Sequence, residues 1–168
     1  KLQLDFTAGS NLPTIPRIGF QCSITPELNT WQWYGRGPVE NYVDRKDNAF
    51  VGIWEMPVAQ AWHPYHEPQE TGNRTGIRES KFMVGGHGLL FRSADGQPLE
   101  MAAYPFLQSD LEGKAHPTDI PQRNLITVQI AHRQMGLGGE NSWGARPLAK
   151  YMLPATGTYE FSFIMQPF

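Results

Sequence analysis

Cysteine is nearly absent from this sequence of 168 residues, which contains Cys22 alone. A single thiol excludes an internal disulfide and a thiolate zinc cluster, so we expect Cys22 to pack as a small hydrophobic side chain. Apolar runs long enough to cross a membrane are also missing, and residues 1–5 lack the apolar segment of a signal peptide. The sequence as given therefore predicts a soluble chain and leaves its redox compartment open.

An excess of charge of either sign is lacking too. The 14 Lys and Arg residues and the 16 Asp and Glu residues give a formal net charge of −2. This balance argues against nucleic acid and against an anionic membrane surface as partners, because both require clustered positive charge. The composition, 40% hydrophobic and 18% charged, is typical of a globular protein, and no linker-like shift divides residues 1–168, so we expect one domain.

Helical periodicity is the third missing feature. Apolar and polar residues instead alternate between segments rich in Gly, Pro, Asn and Asp, which is the pattern of β-strands joined by turns. We predict an all-β fold, an antiparallel β-sandwich, because such strands recur at short spacing without an internal repeat. The clearest alternation places one apolar face on Ile18, Phe20, Cys22 and Ile24, another on Ile126, Val128 and Ile130, and a third on Tyr159, Phe161, Phe163 and Met165.

Two connections between strands are also predicted. Phe82–Val84 and Leu89–Phe91 flank a glycine-rich stretch at residues 85–88, which we interpret as a four-residue hairpin loop. A short helix is expected at Ser109–Lys114, with its first side chain accepting a hydrogen bond from the backbone of Glu112.

Residue types that bind zinc occur together between positions 63 and 70. His63, His66, Glu67 and Glu70 would have to share one helix face to converge on an ion. The prolines at positions 64 and 68 exclude a regular helix, so we favour a loop whose polar groups bond locally and predict no metal site.

The acidic residues offer no recognisable catalytic pair. Retaining glycoside hydrolysis requires two carboxyl groups about 5 Å apart, a separation that sequence cannot show. No serine or cysteine stands in a nucleophile motif either, so covalent catalysis has no candidate residue in this sequence. We assign the acidic side chains to the surface or to pairs with Arg36, Arg45, Arg74 and Arg78. The acidic residues concerned are Glu40, Asp44, Asp47, Glu67, Glu70, Asp110, Glu112 and Glu140.

Tryptophan is the most informative residue type, with five in the chain. Trp31 and Trp33 lie in a predicted strand, so we expect them in the core or at an interface with another domain. Trp143 lies among glycines and polar residues that are typical of a loop. Its indole either faces a ligand, since a flat aromatic face suits the C–H face of a sugar ring, or folds back on the core.

Four stretches of the sequence resemble one family. They are Ile15–Gly19, Trp33–Arg45, Pro64–Thr75 and Gln134–Gly144, which read IPRIG, WYGRGPVENYVDR, PYHEPQETGNRT and QMGLGGENSWG. Together they are similar to the LacZ-type β-galactosidases of glycoside hydrolase family 2. Their order and spacing extend the resemblance over most of the chain.

The resemblance implies a retaining β-galactosidase built from several β domains around a TIM barrel. This chain would be the latter part of the last domain, a large antiparallel β-sandwich (supersandwich) of galactose-mutarotase-like shape, with the rest of that domain upstream of Lys1. The two catalytic glutamates would lie in the barrel, with the Mg and Na ions of the full-length enzyme, and this fragment would hold no cofactor and be inactive alone. A sandwich divided in this way would expose edge strands and an apolar face.

The resemblance also assigns roles to the glycine-rich motif. Its tryptophan, here Trp143, reaches the barrel's active site in that family and stacks on the sugar. The family often has two acidic residues after the glycine pair, whereas a neutral residue follows the first acidic one here, which leaves a charge-dependent role of that position open. The residues that would support the loop are Gly138, Gly139, Glu140, Asn141 and Ser142.

The leading hypothesis is therefore a domain of a bacterial enzyme that hydrolyses terminal β-D-galactosides. Its implied partners are the remaining domains of the same polypeptide, including the barrel, and a β-galactoside such as lactose. The full-length enzyme would be a homo-oligomer in the cytoplasm, with the periplasm as the alternative. An independent carbohydrate-binding module is the alternative function, and an autonomous mutarotase-like enzyme is suggested by fold analogy alone.

Overall fold

Ten β-strands make up the fold. The computed structural model describes residues 2–7, 13–139, 141, 143–156 and 158–168, with residues 2–7 described by their backbone. Among these residues there is no α-helix, and no helix is long and apolar enough to cross a bilayer. The strands are β1 (Leu2–Thr7), β2 (Arg17–Ile24), β3 (Thr30–Gly37), β4 (Phe50–Pro57), β5 (Arg74–Ile77), β6 (Glu79–Val84), β7 (His87–Ser93), β8 (Leu99–Tyr104), β9 (Ile126–Gln134) and β10 (Thr158–Pro167).

The strands form two antiparallel sheets that face each other. The larger sheet has the order β1-β10-β7-β6-β3-β4, and the smaller has the order β2-β9-β8-β5. Contact between the sheets includes the rings of Phe20 on β2 and Phe163 on β10, whose centroids lie 5.7 Å apart. The predicted all-β antiparallel sandwich is confirmed.

Large apolar side chains fill the space between the sheets. Trp31 and Trp33 on β3 are buried, and Trp31 stacks on Phe82 of β6 with ring centroids 5.6 Å apart. The indole N–H of Trp31 donates to the hydroxyl of Ser80 at 2.8 Å, so its polar atom is satisfied inside the core. Of the two places expected for these tryptophans, the core or an interface with another domain, the structure shows the core.

The predicted core faces of β9 and β10 are also largely confirmed. Ile126, Val128 and Ile130 on β9 are buried, as are Phe161 and Phe163 on β10, whereas Tyr159 is half-buried and Met165 near the end of β10 is exposed. Alternation therefore continues to the end of β10 without burial of its last apolar side chain.

The other face of β9 is buried as well, which its alternating sequence did not indicate. The segment between β8 and β9 covers this face. The hydroxyl of Thr127 donates to the carbonyl of Phe106 at 2.6 Å, and the amide of Gln129 donates to the side-chain carbonyl of Gln108 at 2.8 Å. Polar side chains here are therefore interior groups that bond to the covering segment.

β2 departs from the simple alternation predicted for it. Ile18 is buried and Cys22 packs against the core, as expected, but Phe20 is partly exposed. β2 is the outer strand of the smaller sheet, with β9 as its one neighbour in the described fold. Its register with β9 also shifts between Ile18 and Gly19, and such a bulge interrupts the period of two.

The hairpin between β6 and β7 is tighter than predicted. Pairing continues to Val84 and His87, so the loop contains two residues, Gly85 and Gly86, rather than four. Their φ angles are +56° and +87°, the left-handed conformation that a two-residue hairpin requires and that glycine adopts without steric cost.

The helix expected at Ser109–Lys114 is wrong in type and position. A single 3₁₀ turn spans Gln108–Leu111, and the backbone N–H of Leu107 donates to the carboxylate of Asp110 at 2.8 Å. Asp110 thus holds the start of the turn, rather than Ser109. An aspartate three residues after the N-cap can make this bond in one turn without any helix following.

A pair of glycines that face each other on β3 and β4 provides a test of the packing. A Cβ atom on Gly35 would lie 2.9 Å from the Cα of Ile77, whereas one on Gly52 would meet the movable Trp54 ring at 3.2 Å. We predict that Gly35→Ala destabilises the fold by about 1–3 kcal/mol because backbone must shift. Gly52→Ala should cost clearly less. Urea unfolding midpoints check this, and equal losses in the two variants would contradict it.

Candidate functional site

The segment between β9 and β10 carries the most exposed large hydrophobic side chain in the described part of the chain. Trp143 is 91% exposed to solvent. Of the two possibilities left open by the sequence, an indole folded back on the core is therefore wrong for this structure. The ring stands free on its loop and is available to contact another molecule or domain.

The carboxylate of Asp44 holds the start of this loop. The backbone N–H of Gly138 donates to Oδ2 of Asp44 at 2.8 Å. A Cβ atom at Gly136 would lie 2.6 Å from the same carboxylate, so a side chain there would collide with it. Gly138 and Gly139 have φ angles of +74° and +95°, which lets the chain turn directly after the contact.

Asn141 forms the turn that precedes the indole. Its side-chain carbonyl accepts from the backbone N–H of Trp143 at 2.9 Å and lies 3.4 Å from that of Ala145. A carbonyl oxygen makes these bonds as well as a carboxylate would, so the neutral residue serves the turn without charge. The other two support residues, Glu140 and Ser142, lie outside the described residues.

The base of the loop is fastened on a second side. The backbone N–H of Gly136 donates to the carbonyl of Tyr151 at 2.8 Å, and that of Met135 donates to the carbonyl of Pro16 at 2.9 Å. Ile15 and Leu153 add an isolated β-bridge, in which Leu153 is buried. The Ile15–Gly19 stretch therefore supports residues 136–145, which we call the Trp143 loop.

The loop that carries Asp44 is itself bound to the 64–75 stretch. The side-chain oxygen of Asn41 accepts from the backbone N–H of Thr75 at 2.9 Å and from its hydroxyl at 2.6 Å. In return, the amide of Asn73 donates to the carbonyl of Asn41 at 3.1 Å. All three residues are buried, so these bonds lie inside the protein and hold the two stretches in register.

Glu40 is the charged residue at the junction between the loop that carries Asp44 and the 64–75 stretch. Its carboxylate accepts from the backbone N–H of Gly72 at 2.7 Å, from Arg45 at 2.8 Å, from Thr71 at 3.2 Å and from the hydroxyl of Tyr65. Four donors fix this carboxylate, so Glu40 fastens loops. The predicted structural pairing of Arg45 with an acidic partner is confirmed.

Arg36 and Arg74 do not pair with carboxylates, which corrects the expectation for them. Arg36 donates to the carbonyl of Ala49 at 2.7 Å. Arg74, 3% exposed, donates to the carbonyls of Pro38, Ala61 and Gly72 at 2.8–3.0 Å. Carbonyl dipoles can satisfy a guanidinium fork because its donors diverge in one plane.

The indole faces of the core also stabilise the buried guanidinium. The Cζ atom of Arg74 lies 5.7 Å from the ring centroid of Trp31 and 5.4 Å from that of Trp33. Burial nonetheless lowers the pKa of Arg74 to about 10, so the side chain remains charged at neutral pH. The aromatic core is thus connected through Arg74 to the loops around Glu40.

The histidines of the 63–70 stretch do not converge. His63 packs against Tyr65 with centroids 4.5 Å apart, whereas His66 lies 5.3 Å from His116. Across the part of the chain that the structure describes, no three His, Cys, Asp or Glu side chains are grouped closely enough to hold a metal ion. Glu70 is engaged by Arg17 instead.

Glu100 on β8 contacts the end of β9, where the segment that carries Trp143 begins. Its carboxylate accepts from the amide of Asn73 at 3.1 Å and from the backbone of Gln134, the last residue of β9. It lines a cavity of about 240 Å³ that Tyr151 and Leu153 also border. Burial raises the pKa of Glu100 to about 7.

The sequence of this chain matches a known protein family. The family model described as the beta galactosidase small chain matches residues 1–165. The chain belongs to the β-galactosidase small-chain family. Among its relatives, a β-galactosidase of Halalkalibacterium halodurans is 35% identical over 92% of this chain. Those of Priestia megaterium and Lactobacillus delbrueckii subsp. bulgaricus are 34% and 31% identical over 99% and 97% of it.

The small-chain match is short relative to these proteins. This chain spans 15% of the length of the Halalkalibacterium halodurans β-galactosidase and 16% of each of the other two. The relatives therefore contain a long polypeptide beyond the part that this chain matches.

Asp44 and Gly136 are the parts of this site that sequence reasoning missed. Asp44 was assigned to the surface or to an arginine, yet it contacts a backbone 94 residues away. Both residues lie within stretches that identified the family, but nothing in a single sequence shows that these two positions touch.

Removing the carboxylate of Asp44 should make the Trp143 loop more mobile. Asp44→Ala deletes a charge-assisted hydrogen bond worth roughly 1.5–3 kcal/mol and leaves the Gly138 N–H without its acceptor. Amide hydrogen exchange over residues 136–145 should accelerate by roughly tenfold or more. Asp47→Ala, which removes an exposed carboxylate from the same loop, is the control. Equal exchange in the two variants would show that Asp44 does not hold the loop.

Ionisation of Glu100 should make the sandwich less stable as the pH rises. Its folded pKa of about 7 lies above the usual value of 4.5, so its contribution is fully present below pH 4.5 and is lost as the pH rises through 7. Glu100→Gln mimics the protonated form and should be the more stable protein at pH 8, with a smaller pH dependence between pH 4.5 and 7.

Denaturant unfolding at several pH values measures this difference. Glu112→Gln, at an exposed position, is the matched control and should follow the parent protein. A Glu100→Gln protein with the parent's pH profile would contradict the burial of this carboxyl group.

Proposed function

We propose that this chain is the C-terminal β-sandwich domain, or its latter part, of a LacZ-type β-galactosidase of glycoside hydrolase family 2. In this proposal the whole enzyme cleaves terminal non-reducing β-D-galactosides with retention, and this chain lends the indole of Trp143 to the sugar site. The observation that carries the proposal is the 91% exposure of that ring on a loop held at Asp44 and at Tyr151.

An indole fixed in this way suits a sugar ligand. Its flat apolar face complements the C–H face of galactose, and an aromatic side chain has few torsions to lose on binding. Because the loop is held before the ligand arrives, binding costs little further ordering. Contacts that strengthen as the sugar ring distorts towards the transition state would raise kcat as well as affinity.

The carboxylates near the loop support a division of labour between domains. Glu40 accepts from four donors, Asp44 binds the Gly138 N–H, and Glu70 pairs with Arg17. A catalytic acid or nucleophile must reach the scissile bond, whereas these groups fasten loops. We therefore assign the two catalytic glutamates, together with Mg and Na ions, to the barrel domain.

The length of the relatives supports the remaining parts of the proposal. Proteins named β-galactosidase match nearly all of this chain with 15–16% of their length. We propose that the other domains of the same polypeptide are its partners and that the isolated chain does not turn over substrate. We expect a homo-oligomeric, cytoplasmic enzyme, with the periplasm as the alternative, and lactose as a representative substrate.

The role of the indole can be tested in the full-length enzyme. Trp143→Ala should lower kcat/KM for a galactoside by roughly tenfold or more, because a stacking contact to the sugar is lost. Trp143→Phe, which keeps a smaller aromatic face, should recover part of the loss. Leu148→Ala, at an exposed apolar position of the same segment, is the control and should leave kinetics unchanged.

Unchanged kcat and KM in the Trp143→Ala enzyme would contradict the proposal. Calorimetry of the isolated chain with galactose and lactose separates it from an independent carbohydrate-binding module, which the same exposed indole would also suit. No detectable binding supports the dependent domain, and millimolar or tighter binding supports the module.

A further inference from the structure

β4 is an open edge of the larger sheet. It pairs with β3 on one side, and no strand pairs with its other side among the residues that the structure describes. In an antiparallel edge strand, every second residue directs its N–H and C=O groups away from its neighbour. Such an edge accepts a further strand unless charge, proline or a covering segment prevents it.

The outward face of this edge is apolar. Ile53 is 74% exposed, and Val51 and Tyr34 are each 45% exposed. Ile53 and Tyr34 are cross-strand partners, and Val51 is two residues from Ile53 on the same face. We call these three residues the β4 patch. Exposed apolar side chains that adjoin one another on a free edge are typical of an interaction surface.

The surroundings of the β4 patch have the form of an interface rim. Gln32 donates to Glu55 at 2.9 Å, and Lys81 pairs with Glu79 at 3.2 Å. Between them, a shallow cavity of about 100 Å³ is lined in part by Tyr34 and Ile53. An apolar centre with a polar rim, and a depression that can take one side chain, are the usual elements of a protein interface.

β4 carries few of the features that keep an edge free. Within the strand, Glu55 is the one charged residue, lysine is missing, and proline occurs only at the last position, Pro57. Lysines, internal prolines and bulges are what normally prevent edge pairing. The β4 edge is therefore suited to pairing with a further strand.

The length of the relatives indicates where an occupant of the β4 edge comes from. This chain spans 15–16% of β-galactosidases that it matches over more than nine-tenths of its own length. A surface from the same polypeptide is present at millimolar effective concentration, whereas a separate molecule must be recruited from solution. A segment of the same polypeptide is thus the partner that can keep an unprotected edge covered at any protein concentration.

We infer that the β4 edge and the β4 patch dock against a segment of the same polypeptide that lies outside this chain, and that this extended apolar segment pairs with β4. This interface lies on the sheet edge and does not involve Trp143. The inference rests on the proposal that the chain belongs to a longer polypeptide, and it holds whether or not the indole touches sugar.

Amide hydrogen exchange in the full-length enzyme tests the docking. Covered on both sides, all amides of residues 50–57 should exchange slowly, at rates that do not depend on protein concentration. A free edge would show fast exchange at every second residue, which would overturn the inference. Protection that is lost on dilution would identify a second copy as the occupant and would overturn it as well.

A surface variant makes the test independent of folding. Ile53→Lys places a charge on an exposed side chain, so the sandwich should still form. In the full-length enzyme it should accelerate exchange of residues 50–57 by tenfold or more. Met165→Lys, at an exposed position of β10 in the same sheet, should leave that exchange unchanged. Unaltered exchange in Ile53→Lys, or an equal change in Met165→Lys, would contradict docking at β4. Trp143 kinetics are a separate readout, so the two proposals can fail independently.

Discussion

A carboxylate that occupies the space of a missing side chain sets the course of the Trp143 loop. The Asp44 carboxylate lies close to where a Cβ atom of Gly136 would be. The same carboxylate accepts from the backbone N–H of Gly138, two residues after Gly136. Glycine is required at position 136 by contact and at positions 138 and 139 by positive φ. The consequence is a chain that passes close over an anion and turns at once, leaving the indole in solvent.

The position of Asp44 depends in turn on contacts that lead back to the core. The guanidinium of Arg74 lies over the adjacent rings of Trp31 and Trp33. It binds the carbonyls of Pro38 and Gly72, one in each of the two segments that meet there. The neighbouring bonds of Glu40 and Asn41 hold the same two segments together. These bonds are internal, and each is of the kind that costs more to leave unmade than it contributes when made. A buried aromatic cluster is thereby coupled to an exposed tryptophan through consecutive polar contacts.

The sequence was informative about features with a short period and uninformative about those that join distant segments. Alternation in β9 and β10 identified the sandwich and its core, and the glycines around Trp143 identified the loop. The phase of β2 was partly mispredicted because a bulge at Ile18 and Gly19 is a property of the pair with β9. The burial of Gln129 depends on a covering segment that the period of two cannot reveal.

The candidate site shows the same limit more sharply. The sequence predicts acidic partners for the arginines, but the acceptors of Arg36 and Arg74 are carbonyls, which every residue has and no pattern marks. The contact between Asp44 and Gly138 spans 94 residues and has no local signature. Residue types therefore located Trp143, while the anchor that orients it emerged from the fold.

The most direct test of the account is a structure of the full-length enzyme with a galactoside bound. The account predicts the indole of Trp143 in van der Waals contact with the sugar ring, at about 4 Å between nearest heavy atoms, with the reactive carboxylates supplied by another domain. A bound galactoside whose ring lies away from position 143, with that indole in solvent or buried against protein alone, would contradict it.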